Sequence, residues 1–266
     1  MSQPLEIARP PVYLVGAGPG DPELLTLKAV RVLQQASVAL VDDLVSDACL
    51  QHLPADCRIV HVGKRGGCAS TPQAFIEKLM VSEALRGARV VRIKGGDPLL
   101  FGRGGEEIEA LRAAGIAVEV VPGITAGVAA AASSNLSLTH REHARGVAFV
   151  TGHAAADNHV DWAALARSGL TLVIYMGVST VQTIEQSLLE GGMATHTPVL
   201  LVQSASCAAE RRLRTRLGWL SQSLEASGLT SPCVMIVGDV AESAMGSDVA
   251  QFLAAELQEA ALSRVA

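Results

Sequence analysis

Aromatic side chains are scarce in this chain: Phe, Trp and Tyr together make up 3% of its 266 residues. The core must be built from Ala, Val, Leu and Ile, which suits the small-residue packing of α/β sheets. Paired cysteines are missing too. Cys49, Cys57, Cys68, Cys207 and Cys233 are widely spaced, odd in number and contain no C-x-x-C pair. Such a set reads as reduced thiols in a cytosolic protein and argues against a structural zinc site. Cationic charge is not in excess: 26 acidic and 21 basic residues leave a net −5. The broad basic footprint of a nucleic-acid binder is therefore absent. No apolar run reaches the roughly 20 residues of a membrane span, and Met1 to Pro11 has no stretch apolar enough for a signal peptide. Together these absences point to a soluble, cytoplasmic protein with neither nucleic acid nor membrane as partner. With 49% hydrophobic residues and a mean hydropathy of +0.34, disorder is not expected.

Familiar catalytic signatures are also lacking. There is no Gly-Lys-Ser/Thr of a Walker loop, no G-x-S-x-G and no H-E-x-x-H. His140 and His143 are three apart with no third ligand nearby, and read as ordinary surface histidines. No metal is expected.

What is present is an alternation of strand and helix signals. Strands are predicted at Val12 to Val15, Val38 to Val41, Arg58 to Val62, Ala88 to Ile93, Ala117 to Val121, Val147 to Thr151, Leu170 to Met176, Thr197 to Val202 and Val234 to Val237. Leu213 to Leu217 is ambiguous. Asp21 caps a helix with Pro22 at its first position and Leu24, Leu25, Leu27, Val30 and Leu33 as its apolar face. Pro72 opens another, to about Arg86. This alternation predicts a mostly parallel sheet with helices on its faces. The best boundary is Val121-Pro122-Gly123-Ile124, which divides 11–122 from 123–245. Residues 246–266 read as a closing helix and frayed tail.

Two loops carry the chemistry. In the stretch from Arg92 to Glu107 a strand ends at Lys94-Gly95-Gly96-Asp97, and a second turn, Phe101-Gly102-Arg103-Gly104-Gly105-Glu106-Glu107, opens a helix. Paired glycines let a ligand approach bare backbone, and a helix start favours negative charge. The plan is one loop for two ligands side by side. The earlier loop, Val15-Gly16-Ala17-Gly18-Pro19-Gly20-Asp21-Pro22, follows a strand and invites a dinucleotide reading. It departs from G-x-G-x-x-G: the third Gly comes one position early and Asp21 stands where the last belongs. Pro19 also removes an N–H from the phosphate cradle. A tight turn with no ligand is the other reading of this loop.

These two loops recur, in order, with Val41-Asp42-Asp43-Leu44-Val45, Val62-Gly63-Lys64-Arg65, Val121-Pro122-Gly123-Ile124-Thr125-Ala126, Leu138-Thr139-His140-Arg141 and Tyr175-Met176-Gly177. From about Pro11 to Glu242 the chain resembles the tetrapyrrole methyltransferases. The resemblance implies two α/β domains with the active-site cleft between them, S-adenosyl-L-methionine as co-substrate, S-adenosyl-L-homocysteine as product, and a homodimer. It implies that Pro19, Gly95, Gly96, Asp97, Leu100, Thr125, Ala126, Met176 and Ala205 touch the co-substrate. Asp42 and Lys64 match the positions assigned as proton acceptor and donor. The expected activity is methylation of uroporphyrinogen III at two adjacent pyrrole rings to precorrin-2, from which siroheme, cobalamin and haem d1 derive. A relative acting on a later corrinoid precursor and a non-catalytic sensor that binds the co-substrate are the rivals. Two departures stand out: Ser134-Asn135-Leu136-Ser137 replaces the usual Gly-Ile-Pro before Leu138, and Ser204-Ala205-Ser206 replaces Asn-Gly-Thr.

The chemistry suits these residues. A sulfonium methyl is already electrophilic, so an electron-rich pyrrole carbon can attack once aligned. A proton must then leave, and a carboxylate or a lysine of lowered pKa can take it. The acceptor is a polycarboxylate, so binding requires local cations: Arg65, Arg103 and Arg141, with Arg145 a further candidate. Arginine pairs bidentately with carboxylates as lysine cannot. Glu106 has two open roles, holding Arg103 or accepting from pyrrole N–H groups. Asp42, Lys64 and Arg103 are thus the catalytic candidates, and Arg65, Arg103, Glu106 and Arg141 the substrate-binding ones. Purely structural roles remain open for Asp42 as a cap, Lys64 as a solvated loop residue and Met176 as core filling.

Overall fold

The computed structural model describes residues 9–63, 71–153 and 160–244. Lys64, Arg65, Cys68 and the expected tail at 246–266 lie outside them. The chain divides into two compact units between Ala126 and Gly127.

In the first unit, five strands form one sheet: β1 (Val12–Gly16), β2 (Val38–Val41), β3 (Arg58–His61), β4 (Val90–Lys94) and β5 (Val118–Val121). Their order is β3-β2-β4-β1-β5, and every pairing is parallel. A parallel sheet requires both faces to be covered. Alternation along the strands divides the apolar residues accordingly. Val15, Ala39, Val41, Val91 and Ile93 pack with Ala29, Val32 and Leu33 of α1 (Leu27–Leu33). Leu14, Val38, Leu40 and Val90 pack with Ile76 and Met80 of α3 (Gln73–Leu85) and Leu111 of α4 (Gly104–Ala113). A short helix, α2 (Asp47–Leu50), adds Cys49 to the first of these clusters.

The first helix begins differently from its sequence pattern. Asp21 does cap, its carboxylate accepting from the Glu23 N–H at 2.9 Å. What it caps is a short 3-10 turn, Pro22–Leu24. Thr26 then caps α1 separately, accepting from Ala29 N–H at 3.1 Å. The break changes the helical phase, so Leu27, expected on the apolar face, is 90% exposed while Ala29 and Val32 are buried.

The second unit takes all of α5 (Ala126–Ser133) but its first residue, and builds β6 (Val147–Thr151), α6 (Trp162–Ala166), β7 (Thr171–Tyr175), α7 (Val181–Glu190), β8 (Pro198–Gln203), β9 (Arg211–Arg216), α8 (Leu220–Ser227) and β10 (Cys233–Val237). The sheet order is β6-β7-β10-β8-β9. Here the parallel expectation fails. Only β6–β7 is parallel; β7–β10, β10–β8 and β8–β9 are antiparallel. The ambiguous stretch is β9, an edge strand whose Arg211, Arg212, Arg214 and Arg216 discourage further strand pairing. Ile184 and Leu188 of α7 and Leu220 and Leu224 of α8 cover one face.

Four cysteines, Cys49, Cys57, Cys207 and Cys233, are free thiols. Burial pushes the Cys233 thiol up to about 11, which keeps it protonated and unreactive. No described helix is long and apolar enough to cross a membrane.

Candidate active site

In a parallel sheet all strands end on one edge, and ligands of such sheets bind outside that edge. On this edge the loops after β1, β4 and β5 close on one another. Gly18 and Gly96 pair through both backbone groups, Gly96 N–H to Gly18 O at 2.7 Å and Gly18 N–H to Gly96 O at 3.2 Å. Asp97 ties the loops further: one oxygen accepts from Leu99 N–H at 2.9 Å, the other from Gly123 N–H at 3.1 Å. A Cβ on Gly96 would lie 3.7 Å from the Thr125 Cα and 3.9 Å from the Ala126 nitrogen, so these candidates are neighbours.

The glycines have a second purpose that the sequence pattern did not convey. A Cβ on Gly123 would fall 2.2 Å from Gly96 O and 2.9 Å from Gly16 Cα, and one on Gly95 would meet the Leu44 side chain at 2.9 Å. At Gly16 and Gly123 the chain's own backbone fills the space a side chain would take. Gly123→Ala should therefore cost about 1–3 kcal/mol of stability as overpacking. Gly105→Ala, where nothing lies within 4 Å, should gain up to about 1 kcal/mol as a helix substitution. Urea unfolding of both variants is the check; equal midpoints would contradict the close packing.

The start of α4 is likewise already supplied with negative charge. Arg103, at the N-cap, has a left-handed backbone with φ 56. Its side chain forks onto Glu106, Nε to Oε1 at 2.9 Å and Nη2 to Oε2 at 2.5 Å. Each strengthens the other's charge: hydrogen bonding to Glu106 raises the Arg103 pKa, and hydrogen bonding to Arg103 lowers that of Glu106. Both remain largely exposed. Of the two roles open for Glu106, holding Arg103 is the one seen. The second carboxylate of this turn, Glu107, points inward.

Glu107 belongs to a buried charge cluster that sequence reasoning missed. Arg92 and Lys94 lie two apart on β4 and so share a face. Arg92 is 2% exposed, Lys94 3% and Glu107 0%. Glu107 Oε1 accepts from Arg92 Nε at 2.9 Å, Lys94 Nζ at 3.1 Å and Gln73 Nε2 at 3.4 Å. Arg92 also donates through Nη1 to the carbonyls of Leu40 and Ile93, and through Nη2 to Asp42 Oδ1. Lys94 Nζ is 3.7 Å from Asp42 Oδ2. Asp42 is therefore held by cations from inside the sheet rather than serving as a cap. Burial, and then the Arg92 charge, push the Lys94 pKa down, while Glu107 and Asp42 oppose them. The signal was available in Val90-Val91-Arg92-Ile93-Lys94, where two cations alternate with apolar residues in a strand buried on both faces.

The first unit thus gathers Pro19, Asp42, Gly95, Gly96, Asp97, Leu100, Arg103, Glu106, Thr125 and Ala126 on the loops of one sheet edge and the neighbouring start of α4. In the second unit Met176 follows β7 and Ala205 follows β8. These strands end at the same edge, since Tyr175 and Gln203 flank the start of β10 at Val234 and Cys233. Met176 is 48% exposed with φ 54, which does not fit plain core filling; Ala205 is buried between Ser204 (φ 52) and Ser206 (φ 63). Non-glycine residues in this region are uncommon and cluster at functional sites. Asn135, also left-handed at φ 51, ends α5: Leu136 N–H reaches Ala131 O at 2.9 Å and Asn135 N–H reaches Ala132 O at 3.0 Å. Asn is the usual alternative to Gly at such a cap, so this departure preserves the turn. Arg141 and Arg145, further along the chain before β6, are exposed. Contrary to the sequence reading, a third candidate ligand does lie beside the two histidines: His140, Glu142 and His143 are exposed, and their ligating atoms lie within 4.8 Å of one another. The two rings stack at 4.6 Å.

Residues 11–221 match the family of tetrapyrrole (corrin/porphyrin) methylases, and the chain belongs to that family. Within it, the chain is 53% identical over 229 residues to a uroporphyrinogen-III C-methyltransferase of Pseudomonas aeruginosa, covering 86% of this chain and 93% of that protein. Among solved structures it is similar to a uroporphyrin-III C-methyltransferase of Thermus thermophilus complexed with S-adenyl homocysteine. The identity there is 43%, the TM-score 0.75, and the coverage 88% of this chain and 99% of that one. A cobalt precorrin-4 methyltransferase matches with a TM-score of 0.78 at 26% identity, over 85% of this chain and 94% of that one.

Proposed function

We propose that this chain is an S-adenosylmethionine-dependent C-methyltransferase that methylates uroporphyrinogen III at two adjacent pyrrole rings to give precorrin-2. The observation that carries the substrate is the 53% identity to the Pseudomonas aeruginosa relative of that name. Fold similarity alone does not choose the acceptor, because the cobalt precorrin-4 enzyme shares it at half that identity.

The residues present suit the co-substrate. Leu44, Leu99 and Phe101 expose apolar side chains in the loops after β2 and β4, and Met176 does so in the second unit. S-adenosylmethionine supplies an electrophilic methyl, so the reaction itself calls for no metal. Gly95, Gly96, Asp97, Leu100, Thr125, Ala126, Pro19, Met176 and Ala205 hold it. Arg103, oriented by Glu106, and Arg141 bind acceptor carboxylates, with Arg65 as a further cation. When the ring carbon attacks, the methyl–sulfur bond breaks with its electron pair to sulfur. Asp42 accepts the proton that then leaves the acceptor, and Lys64 serves as donor. The functional domains are 11–122 and 123–245, and the enzyme acts in the cytoplasm as a homodimer.

The purified protein should bind S-adenosylmethionine and S-adenosylhomocysteine but not NAD. Asp21 caps the 3-10 turn and Thr26 caps α1, so side chains already serve N–H groups that a pyrophosphate would need, and Pro19 offers none. Calorimetry tests binding, and methyl transfer to uroporphyrinogen III tests activity. Tight NAD binding without S-adenosylmethionine binding would sink the proposal. Co-substrate binding without turnover on any tetrapyrrole would leave the sensor reading instead.

A further inference from the structure

Asp42 is gripped from two sides by one strand. Arg92 donates to Oδ1, and the Lys94 ammonium lies 3.7 Å from Oδ2. Both cations are buried and both rest on Glu107, whereas the Asp42 side chain is 30% exposed. We propose that Lys94 is a positioning residue for Asp42, fixing the second carboxylate oxygen while Arg92 fixes the first. This rests on the reading of Asp42 as proton acceptor.

The two cations differ in one respect that makes the role measurable. Arginine does not lose its proton in a protein, and lysine can. The charged groups facing Lys94 are Asp42 from the loop after β2, Arg92 from its own strand, and Glu107 from α4, with Glu106 of α4 further off. Burial and Arg92 outweigh the two carboxylates and draw its pKa below the ordinary lysine range. Once Lys94 is neutral, Asp42 Oδ2 has lost its counter-charge. Turnover should then fall in the window between the lowered pKa and the ordinary value of about 10.4. In that window the folded chain has released a proton that the unfolded chain retains. The contribution of Lys94 to stability therefore rises with pH. An alkaline loss of turnover from this source is not unfolding.

The test is single-turnover methyl transfer against pH, with both substrates saturating, for the parent, Lys94→Met, Lys94→Arg and Asp42→Asn. Lys94→Met should be about 10–100-fold slower near neutral pH, the usual range for loss of a group that orients a reacting one, with KM values from separate steady-state turnover little changed. Its residual rate should lack the parent's alkaline limb. Lys94→Arg should recover most of the rate and also lack the limb. If Lys94→Arg does not fold, Lys94→Met, uncharged and of similar length, decides alone. Slow Asp42→Asn beside Lys94→Met at the parent rate, or a limb unchanged in the Lys94 variants, overturns the positioning role. Asp42→Asn at the parent rate overturns the assignment of Asp42 itself, and the positioning role with it.

Discussion

Arg103→Ala is expected to slow single-turnover methyl transfer by about 10²-fold or more, while S-adenosylmethionine binds as before. Misplacement of a reactant by about 1 Å is enough for a loss of that size, and the role proposed for Arg103 is to position the acceptor rather than the co-substrate. Its side chain is 58% exposed and spans the first turn of α4 to Glu106. An exposed pair of this kind contributes about 0–1 kcal/mol to stability, so the fold does not depend on it. What the pair does provide is orientation: a two-point fork fixes one side of the guanidinium, and in the proposed function the remaining N–H groups take an acceptor carboxylate. A group with a pKa above about 12 is a poor base, so the expected loss comes from positioning and charge. Arg103→Lys should fall between parent and Ala, because the charge remains and the planar fork is gone. A parent-like rate in Arg103→Ala, or loss of co-substrate binding with the acceptor still bound, would contradict this division of labour.

How far the sequence reached depended on the range of the interactions. Strands such as Val38–Val41 and Val147–Thr151 were legible because apolar runs bounded by turn residues are local signals. The direction of the second sheet was not. Alternating strands and helices suggest crossovers, yet β8 and β9 are joined by a short turn and β10 inserts between β7 and β8. That insertion is a long-range choice. The break between Asp21 and Thr26 was local but subtle, two consecutive caps where one was read.

The site divides along the same line. The motifs identified the loops, and the fold brings those of the first unit together. Motifs did not reveal which glycines are packed tightly against backbone, as Gly16 and Gly123 show. Nor did they reveal Arg92. A cation in a buried strand says that a partner exists, but only the packing of α4 on the sheet identifies Glu107 as that partner.

That partnership leads to the largest expected loss of stability, from Glu107→Ala. Removing one member of a buried charge set typically costs about 3–5 kcal/mol, because the others stay buried without compensation. Lys94 has an escape, since burial and the Arg92 charge already push its pKa down and a lysine can shed its proton. Arg92 has none. With Glu107 gone, Asp42 is the one carboxylate left to it among the ion pairs of the described residues. Hydrogen exchange in β1, β2 and β4 reports the loss directly. Tryptophan fluorescence does not, because Trp162 and Trp219 both lie in the second unit. Protection of these strands should fall by the full amount in Glu107→Ala. It should fall less in Glu107→Gln, which keeps an amide oxygen for Arg92 Nε. Replacing Arg92, Lys94 and Glu107 together by apolar residues of similar size should return much of the stability, as buried ion sets often permit, but not the activity, because Asp42 would then lose both of its cations on β4. A Glu107→Ala variant as protected as the parent would mean that the buried cluster does not couple α4 to the sheet, and the positioning of Asp42 would have to be sought elsewhere.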